Sequence, residues 1–242
     1  MLCFVSMPRS CGSFPCDGCV PDPVHNARFV RDIYERAGAD APGVRFTVPI
    51  LFDTLTNRIV CNESEIIVRT LNSDFNSFAK NAALDLYPAA LREAIDEVNV
   101  WVYSDINNGV YRCGFATTQA AYETAFHALY AALERVEAIL AKQRYLVGAQ
   151  FTEADLRLFM TLIRFDEVYA VYFKTNGRLL REMPNIFNYI KDFFSMPDIR
   201  RSINMAHIKR RYYASHPSLN VHAIVPVGLA VDYDAPHDRD RF

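Results

Sequence analysis

"FTVPILFDTLTNRIVCNESEII", residues 46–67, is the stretch whose reading decides the fold. Residues 46–48 and 50–53 are rich in strand formers, as are residues 58–61, and Thr56-Asn57 between them reads as a hairpin turn. The second strand runs without a break into residues 62–72, which have helix character. Upstream, Pro21-Asp22-Pro23 predicts a helix. Asp22 is placed to cap it and Pro23 suits its first position, where no N–H is needed. Ala27, Val30, Ile33, Tyr34 and Ala37 follow at helical spacing, and Gly38 is a stop. Residues 23–72 therefore read as helix–strand–strand–helix around an antiparallel pair.

Two features of this stretch can carry chemistry. Proline removes a ladder donor, so Val48-Pro49 inside a strand-like run needs a reason. A cis proline at a sheet edge would leave the Val48 N–H and C=O open, and an extended peptide could pair with them like an added strand. A trans proline that merely ends an edge strand is the alternative. Glu63-Ser64 stands where the second strand becomes a helix. Amides at a helix N-terminus attract a carboxylate, the Ser64 hydroxyl adds a donor, and Glu63 can accept from an ammonium group. That set suits the α-amino-acid end of a small ligand; a plain cap by Ser64 explains it equally. A ligand spanning both features would have an extended middle and an amino-acid head.

From about residue 86 the pattern is helical. In "YPAALREAIDEVNVWVYSDIN", residues 87–107, the apolar face is Leu91, Ile95, Val98 and Val102, and "NNG" after it reads as a turn. Residues 117–142 place Tyr122, Phe126, Leu129, Leu133, Val136 and Leu140 on one face. Thr152 followed by Asp155 is a capping box ahead of an apolar helix, and loss of either should cost roughly 1 kcal/mol or more. A helix follows over residues 183–196. Residues 216–242 are Pro-rich and read as an extended tail on a surface. Tyr111 after the "NNG" turn and Tyr212 in "KRRYYASHP" are candidates to line an aromatic ligand's site.

The totals bound the function. The 242 residues carry a net charge of -2, with 51% apolar and 22% charged residues. Nothing there argues for nucleic acid or an anionic membrane surface. No run is long and apolar enough to span a bilayer, and the first residues lack a signal peptide's basic start. Six cysteines in such a chain point to a reducing cytoplasm rather than a disulfide scaffold. The histidines show no metal-ligand spacing, and no phosphate loop, dinucleotide fingerprint or nucleophile elbow is present. Cys16 and Cys19 form the single C-x-x-C. A redox dithiol, half a zinc site completed by Cys3 and Cys11, and ordinary thiols are the three readings.

Taken together, "PDPVHNARFVRDIY", "FTVPILFD", "NESEIIVRTLNSDFN", "INNGVYRCGFATTQAAYE", "RYLVGAQFTEADLRLFMTLIRFDEVY", "HIKRRYYASHPSLN" and "IVPVG" resemble the glutathionyl-hydroquinone reductases, the Xi class of glutathione transferases related to the omega class. The resemblance covers about residues 20–230. It implies an α+β chain in which a truncated thioredoxin-like domain precedes an all-α domain. The expected division is a lead-in over 1–20, a glutathione-binding domain over 21–78, the helical domain over 79–215 and a tail over 216–242. It implies glutathione as co-substrate, glutathionylated hydroquinones as substrates, no metal, a homodimer and a cytoplasmic setting. Val48 and Pro49 match the family's backbone clamp for the cysteinyl part of glutathione. Glu63 and Ser64 match its γ-glutamyl pocket, and Tyr111 and Tyr212 its hydroquinone side.

In that family a cysteine of a Cys-Pro-Trp-Ala motif attacks the sulfur of a glutathionyl-hydroquinone. Hydroquinone leaves, and a second glutathione resolves the protein–glutathione disulfide. Such a cysteine ionises easily because it sits at a helix N-terminus. The motif does not occur in these 242 residues, and Trp101, the single tryptophan, lies in the helical part. Cys16 and Cys19 are the substitutes at hand, though they precede the cap of the next helix. Three functions follow: a reductase of reduced activity, a non-catalytic module that binds ligands or proteins, and a C-x-x-C redox protein on the same fold. Without the first strand–helix unit, a sheet edge and apolar surface should stand uncovered.

Overall fold

The structure, a computed structural model, describes residues 22–228 and 230–242. It divides into two compact units. The first comprises the described residues up to Leu84 together with Arg210–Val225, and the second comprises Asp85–Lys209 together with Pro226–Phe242.

In the first unit, α1 (Val30–Arg36) starts later than the sequence suggests. The Asp22 carboxylate accepts from the amides of Val24, His25 and Ala27. Reaching as far as Ala27, it closes a turn, helped by Asn26 at φ 49°. Asp32 then accepts from the Arg28 and Phe29 amides at 3.1 and 3.0 Å and starts the helix proper. Gly38 ends it as expected. At φ 66° it lets the Ala39 amide reach the Tyr34 carbonyl and its own amide reach that of Glu35.

Strands β1 (Leu51–Asp53) and β2 (Arg58–Cys61) pair antiparallel, with an irregularity after Leu51. The Asp53 carboxylate holds the turn through the Leu55 amide and the Thr56 hydroxyl, and Asn57 takes the left-handed conformation. Residues 46–48, expected as strand, are not one: the Thr47 amide bonds the Arg45 carbonyl and the Thr47 carbonyl bonds a tyrosine hydroxyl. Helix α2 (Ser64–Ser73) follows β2 directly. Among the described residues the sheet has two strands. Val60, Ile66, Leu71 and Phe78 stand exposed around it.

The second unit is helical. Helix α3 (Arg92–Trp101) runs through a π-helical turn (Val102–Asn107) into α4 (Gly109–Gly114). The expected turn at Asn107-Asn108-Gly109 is confined to Asn108, between the π-helical turn and α4. Its glycines serve close packing: a Cβ on Gly109 would lie 3.4 Å from Leu129, and one on Gly114 only 2.2 Å from the Phe173 ring. Helix α5 (Gln119–Leu140) is capped by the Thr118 hydroxyl, which accepts from the Ala121 amide. It buries Leu129, Leu133, Val136 and Leu140, while Tyr122 and Phe126 from the predicted face are half-buried. Each such leucine contributes about 1.5–3 kcal/mol.

Helix α6 (Glu153–Arg164) leads through a second π-helical turn (Phe165–Tyr169) into the short α7 (Ala170–Tyr172). Helix α8 (Pro184–Ser195) begins at a proline, and its first amides at Asn185 and Ile186 bond the Glu137 carboxylate of α5. Helices α9 (Pro197–Ser202) and α10 (Met205–Ser215) follow.

The tail is more deeply seated than an extended surface segment. The Tyr233 ring is buried, and Lys191 Nζ donates to the Pro236 carbonyl at 2.6 Å. Arg239 is 0% exposed. Its guanidinium donates to the carbonyls of Leu140, Gln143 and Arg144, closing the C-terminal end of α5.

Candidate functional site

Three side chains outside the predicted set organise the first unit. The Tyr34 hydroxyl donates to the Thr47 carbonyl at 2.9 Å. Asn62 Nδ2 donates to that same hydroxyl and to Thr47 Oγ1, both at 3.1 Å. Thr47 immediately precedes Val48-Pro49, and Asn62 immediately precedes Glu63-Ser64. The triangle therefore ties the two candidate ligand features to one another and to α1.

The Val48–Pro49 peptide is cis. Val48 is 41% exposed, and among the described residues neither its N–H nor its carbonyl is hydrogen-bonded. An extended peptide laid beside it finds one donor and one acceptor in strand geometry. At the other end of the triangle, Glu63 rather than Ser64 occupies the cap position of α2, and its side chain makes no capping bond. Ser64 is the first helical residue. It is exposed, and its hydroxyl has no partner among the described residues. A carboxylate placed here meets the positive end of the helix dipole and a hydroxyl donor, and the adjacent Glu63 can receive an ammonium.

In the second unit, Tyr111 sits on α4 at the mouth of an open groove of about 920 Å³. Tyr111 and Arg112 line it from α4, Phe115 from the residue that follows α4, and Ala121, Thr124 and Ala128 from α5. The Tyr111 ring is 5.3 Å from Phe173 and 6.0 Å from Tyr169, and those two rings stack at an interplanar angle of 12°. Of the lining residues Tyr111 and Phe115 are aromatic, one of them a phenol, and such a pair can take the face of a flat aryl ligand that carries hydroxyls. Tyr212 lies on α10 in the part that groups with the first unit. Its ring is 6.4 Å from His216, whose Nδ1 contacts the Tyr212 carbonyl at 3.2 Å.

The glutathione S-transferase C-terminal domain family matches residues 119–192. Glutathionyl-hydroquinone reductase YqjG of Escherichia coli (strain K12) is 41% identical over 228 residues, covering 94% of this chain and 68% of that protein. The chain belongs to the Xi-class glutathione transferases. Glutathionyl-hydroquinone reductase PcpF of Sphingobium chlorophenolicum is 45% identical to this Xi-class chain over 216 residues, 89% of this chain and 68% of PcpF. Among solved structures, the glutathione-bound form of YqjG superposes with a TM-score of 0.91 at 40% identity, covering 98% of this chain and 78% of that one. The Xi enzyme of Phanerochaete chrysosporium gives 0.90 at 44%, covering 97% and 80%.

The thiols of this Xi-class chain fall into two groups. Cys16 and Cys19 lie outside the described residues, as do Cys3 and Cys11. Of the described thiols, Cys113 is 1% exposed, and burial pushes it up to about 11, so it stays protonated at neutral pH. Cys61 ends β2, where its sulfur accepts from the Glu63 amide at 3.4 Å. Among the described residues no group of three or more His, Cys, Asp or Glu side chains could hold a metal.

The capping-box residues lie in the second unit, where Asp155 Oδ2 accepts from the Thr152 amide and hydroxyl, each at 2.9 Å. The sequence offered little notice of the Tyr34–Thr47–Asn62 triangle. Tyr34 reads as a core position and Thr47 as a strand residue. The available signal was the polar Asn62 wedged between an apolar strand and Glu63.

Proposed function

We propose that this Xi-class transferase binds glutathione on its first unit and acts in glutathione-dependent reduction of glutathionyl-hydroquinones. The Tyr34–Thr47–Asn62 triangle carries the reading, because it puts an open strand-like backbone at Val48 and a helix N-terminus at Ser64 under one support. Val48 and Pro49 take the cysteinyl part, Glu63 and Ser64 the γ-glutamyl head, and Tyr111 and Tyr212 the hydroquinone. YqjG and PcpF, named as reductases of this kind, support the assignment. In the reaction, a thiolate attacks the glutathionyl sulfur and the aryl carbon–sulfur bond breaks. The aryl carbon takes a proton to release hydroquinone, and a second glutathione thiolate displaces the mixed disulfide to give oxidised glutathione. The resemblance supports a cytoplasmic homodimer, which light scattering checks.

A second reading is a ligand-binding module without turnover. Glutathione titration by calorimetry tests the binding common to both readings, and absence of saturable heat overturns it. Release of hydroquinone from its glutathionyl adduct, measured for the parent and for Cys16→Ser/Cys19→Ser, separates the rest. No turnover leaves the binding module. Turnover lost only in the double variant makes one of those thiols the nucleophile.

A further inference from the structure

The groove between α4 and α5 lies wholly within the second unit, and its two walls differ. On the α5 side Ala121, Ala125 and Ala128 present only methyl groups, with Thr124 among them. The other side carries Tyr111 and Arg112, and Phe115 follows. Tyr111 and Phe115 are 38% and 45% exposed. Methyl groups facing large rings leave a trough. At about 920 Å³ it is near the upper end of the range for small-molecule sites, so a single hydroquinone ring fills only part of it.

Arg112 is the one charged side chain among the described residues that line the groove. Its guanidinium is anchored at one corner. Nη2 donates to the Ser104 carbonyl at 2.6 Å and lies 3.4 Å from Asp105 Oδ1. That oxygen also accepts from the Ser104 hydroxyl at 2.7 Å, so its pull on Arg112 is shared. Nε and Nη1 have no partner among the described residues. The head is thus held by a neutral carbonyl, while its charge and most of its donors stay available. A carboxylate brings two anionic oxygens to such a head, and no neutral ring substituent matches that. Thr124 supplies a complementary group. Its hydroxyl donates to the Ala120 carbonyl at 2.9 Å, which leaves its oxygen to accept from a ring hydroxyl.

We propose that this groove binds small hydroxylated aromatic carboxylates. The ring lies against Tyr111 and Phe115, the carboxylate meets Arg112, and a ring hydroxyl donates to Thr124. The inference rests on the reading of Tyr111 as an aryl-binding residue and adds a charge preference to it. A neutral hydroquinone finds the same rings but leaves Arg112 to water. The Arg112 side chain is 50% exposed, so the preference is that of one solvated ionic contact, about fivefold in affinity.

The test is proton–nitrogen correlation NMR of the full chain at neutral pH, titrated with 2,5-dihydroxybenzoate and with hydroquinone. The two ligands differ by the carboxylate. The proteins are the parent, Arg112→Met and Arg112→Lys, whose folding the same spectra verify. In the parent both ligands should shift amides in the 108–128 region, with the benzoate binding about fivefold more tightly. Added salt should shrink that preference. Arg112→Met should bring the benzoate down to the affinity of hydroquinone and leave hydroquinone unchanged, and Arg112→Lys should keep part of the preference. Equal affinities in the parent overturn the charge preference and leave the aryl reading of Tyr111 standing. A preference that survives in Arg112→Met, an equal fall for both ligands, or shifts confined to other residues overturns the role of Arg112. No saturable shift with either ligand sinks the aryl reading of the groove, and the inference with it.

Discussion

Replacing Asp155 by alanine should destabilise the second unit more than any single helix-surface change. The carboxylate is fully buried and accepts four hydrogen bonds. They come from the Leu146 amide at 2.8 Å, the Thr152 amide and hydroxyl at 2.9 Å each, and the Tyr189 hydroxyl at 2.9 Å. Alanine would leave two amides and two hydroxyls without this acceptor, and each orphaned buried donor costs about 1–3 kcal/mol. Relief of the buried charge offsets part of this, since burial already pushes the Asp155 carboxyl up. A net loss of about 3–5 kcal/mol is expected, as for other broken buried charged networks. For a chain of this size that lowers Tm by roughly 6–20 °C. Asp155→Asn keeps an acceptor for Leu146 and Tyr189 but turns an amide against the Thr152 N–H, so about 1–3 kcal/mol should go.

The pH dependence gives an independent reading of the same site. A folded-state pKa raised above the ordinary 3.8 means that the native protein binds more protons than the unfolded chain between the two values. The Asp155 contribution therefore falls as pH rises through that window, and Asp155→Asn should remove the fall. Urea unfolding followed at 222 nm, at several pH values, measures both effects. A loss below about 1 kcal/mol for Asp155→Ala, or equal losses for alanine and asparagine, would refute the reasoning.

Tyr34→Phe removes the donor to Thr47 and the acceptor for Asn62, and should weaken glutathione binding about fivefold in calorimetry while shifting stability by only about 1 kcal/mol. Gly114→Ala pushes a methyl into the Phe173 ring; a loss of about 1–3 kcal/mol in urea is expected, together with weaker aryl binding in the Tyr111 groove. Arg239→Met strands three carbonyls at the end of α5 and should cost about 3–5 kcal/mol, read as a fall in Tm. Cys113 should resist iodoacetamide at pH 8 in the native protein and react once urea unfolds it, as peptide mass mapping would show.

Much of the local structure was legible because it is decided by neighbours in sequence. The Asp53–Asn57 turn, the Gly38 stop and the Thr152–Asp155 box each depend on residues within a few positions. What failed was decided at a distance. Asn107-Asn108-Gly109 has turn chemistry, yet the turn is confined to Asn108 and Gly109 already belongs to α4, where a Cβ would lie 3.4 Å from Leu129 of the next helix. The tail looks polar and extended, yet Arg239 finds carbonyls at Leu140, Gln143 and Arg144 that no sequence pattern announces. Asp22 has the chemistry of a cap, but its carboxylate serves a preceding turn. For the candidate site, Val48-Pro49 and Glu63-Ser64 could be picked out singly, whereas the side chains that join them could not.

That junction also makes the site a proofreader of the hairpin. Asn62 is the residue after the last paired position of β2, Cys61 opposite Leu51. Side chains alternate faces along a strand, so a slip of one residue would turn Asn62 away from Tyr34 and offer it a thiol instead. The carboxamide that bonds both Tyr34 and Thr47 would be lost in one step, and with it the joint support of Val48 and Ser64. A ligand held at both places would bind only the correctly paired chain, and would draw any mispaired chains back by mass action. Glutathione, on this view, would be an editor of strand pairing as well as a reactant.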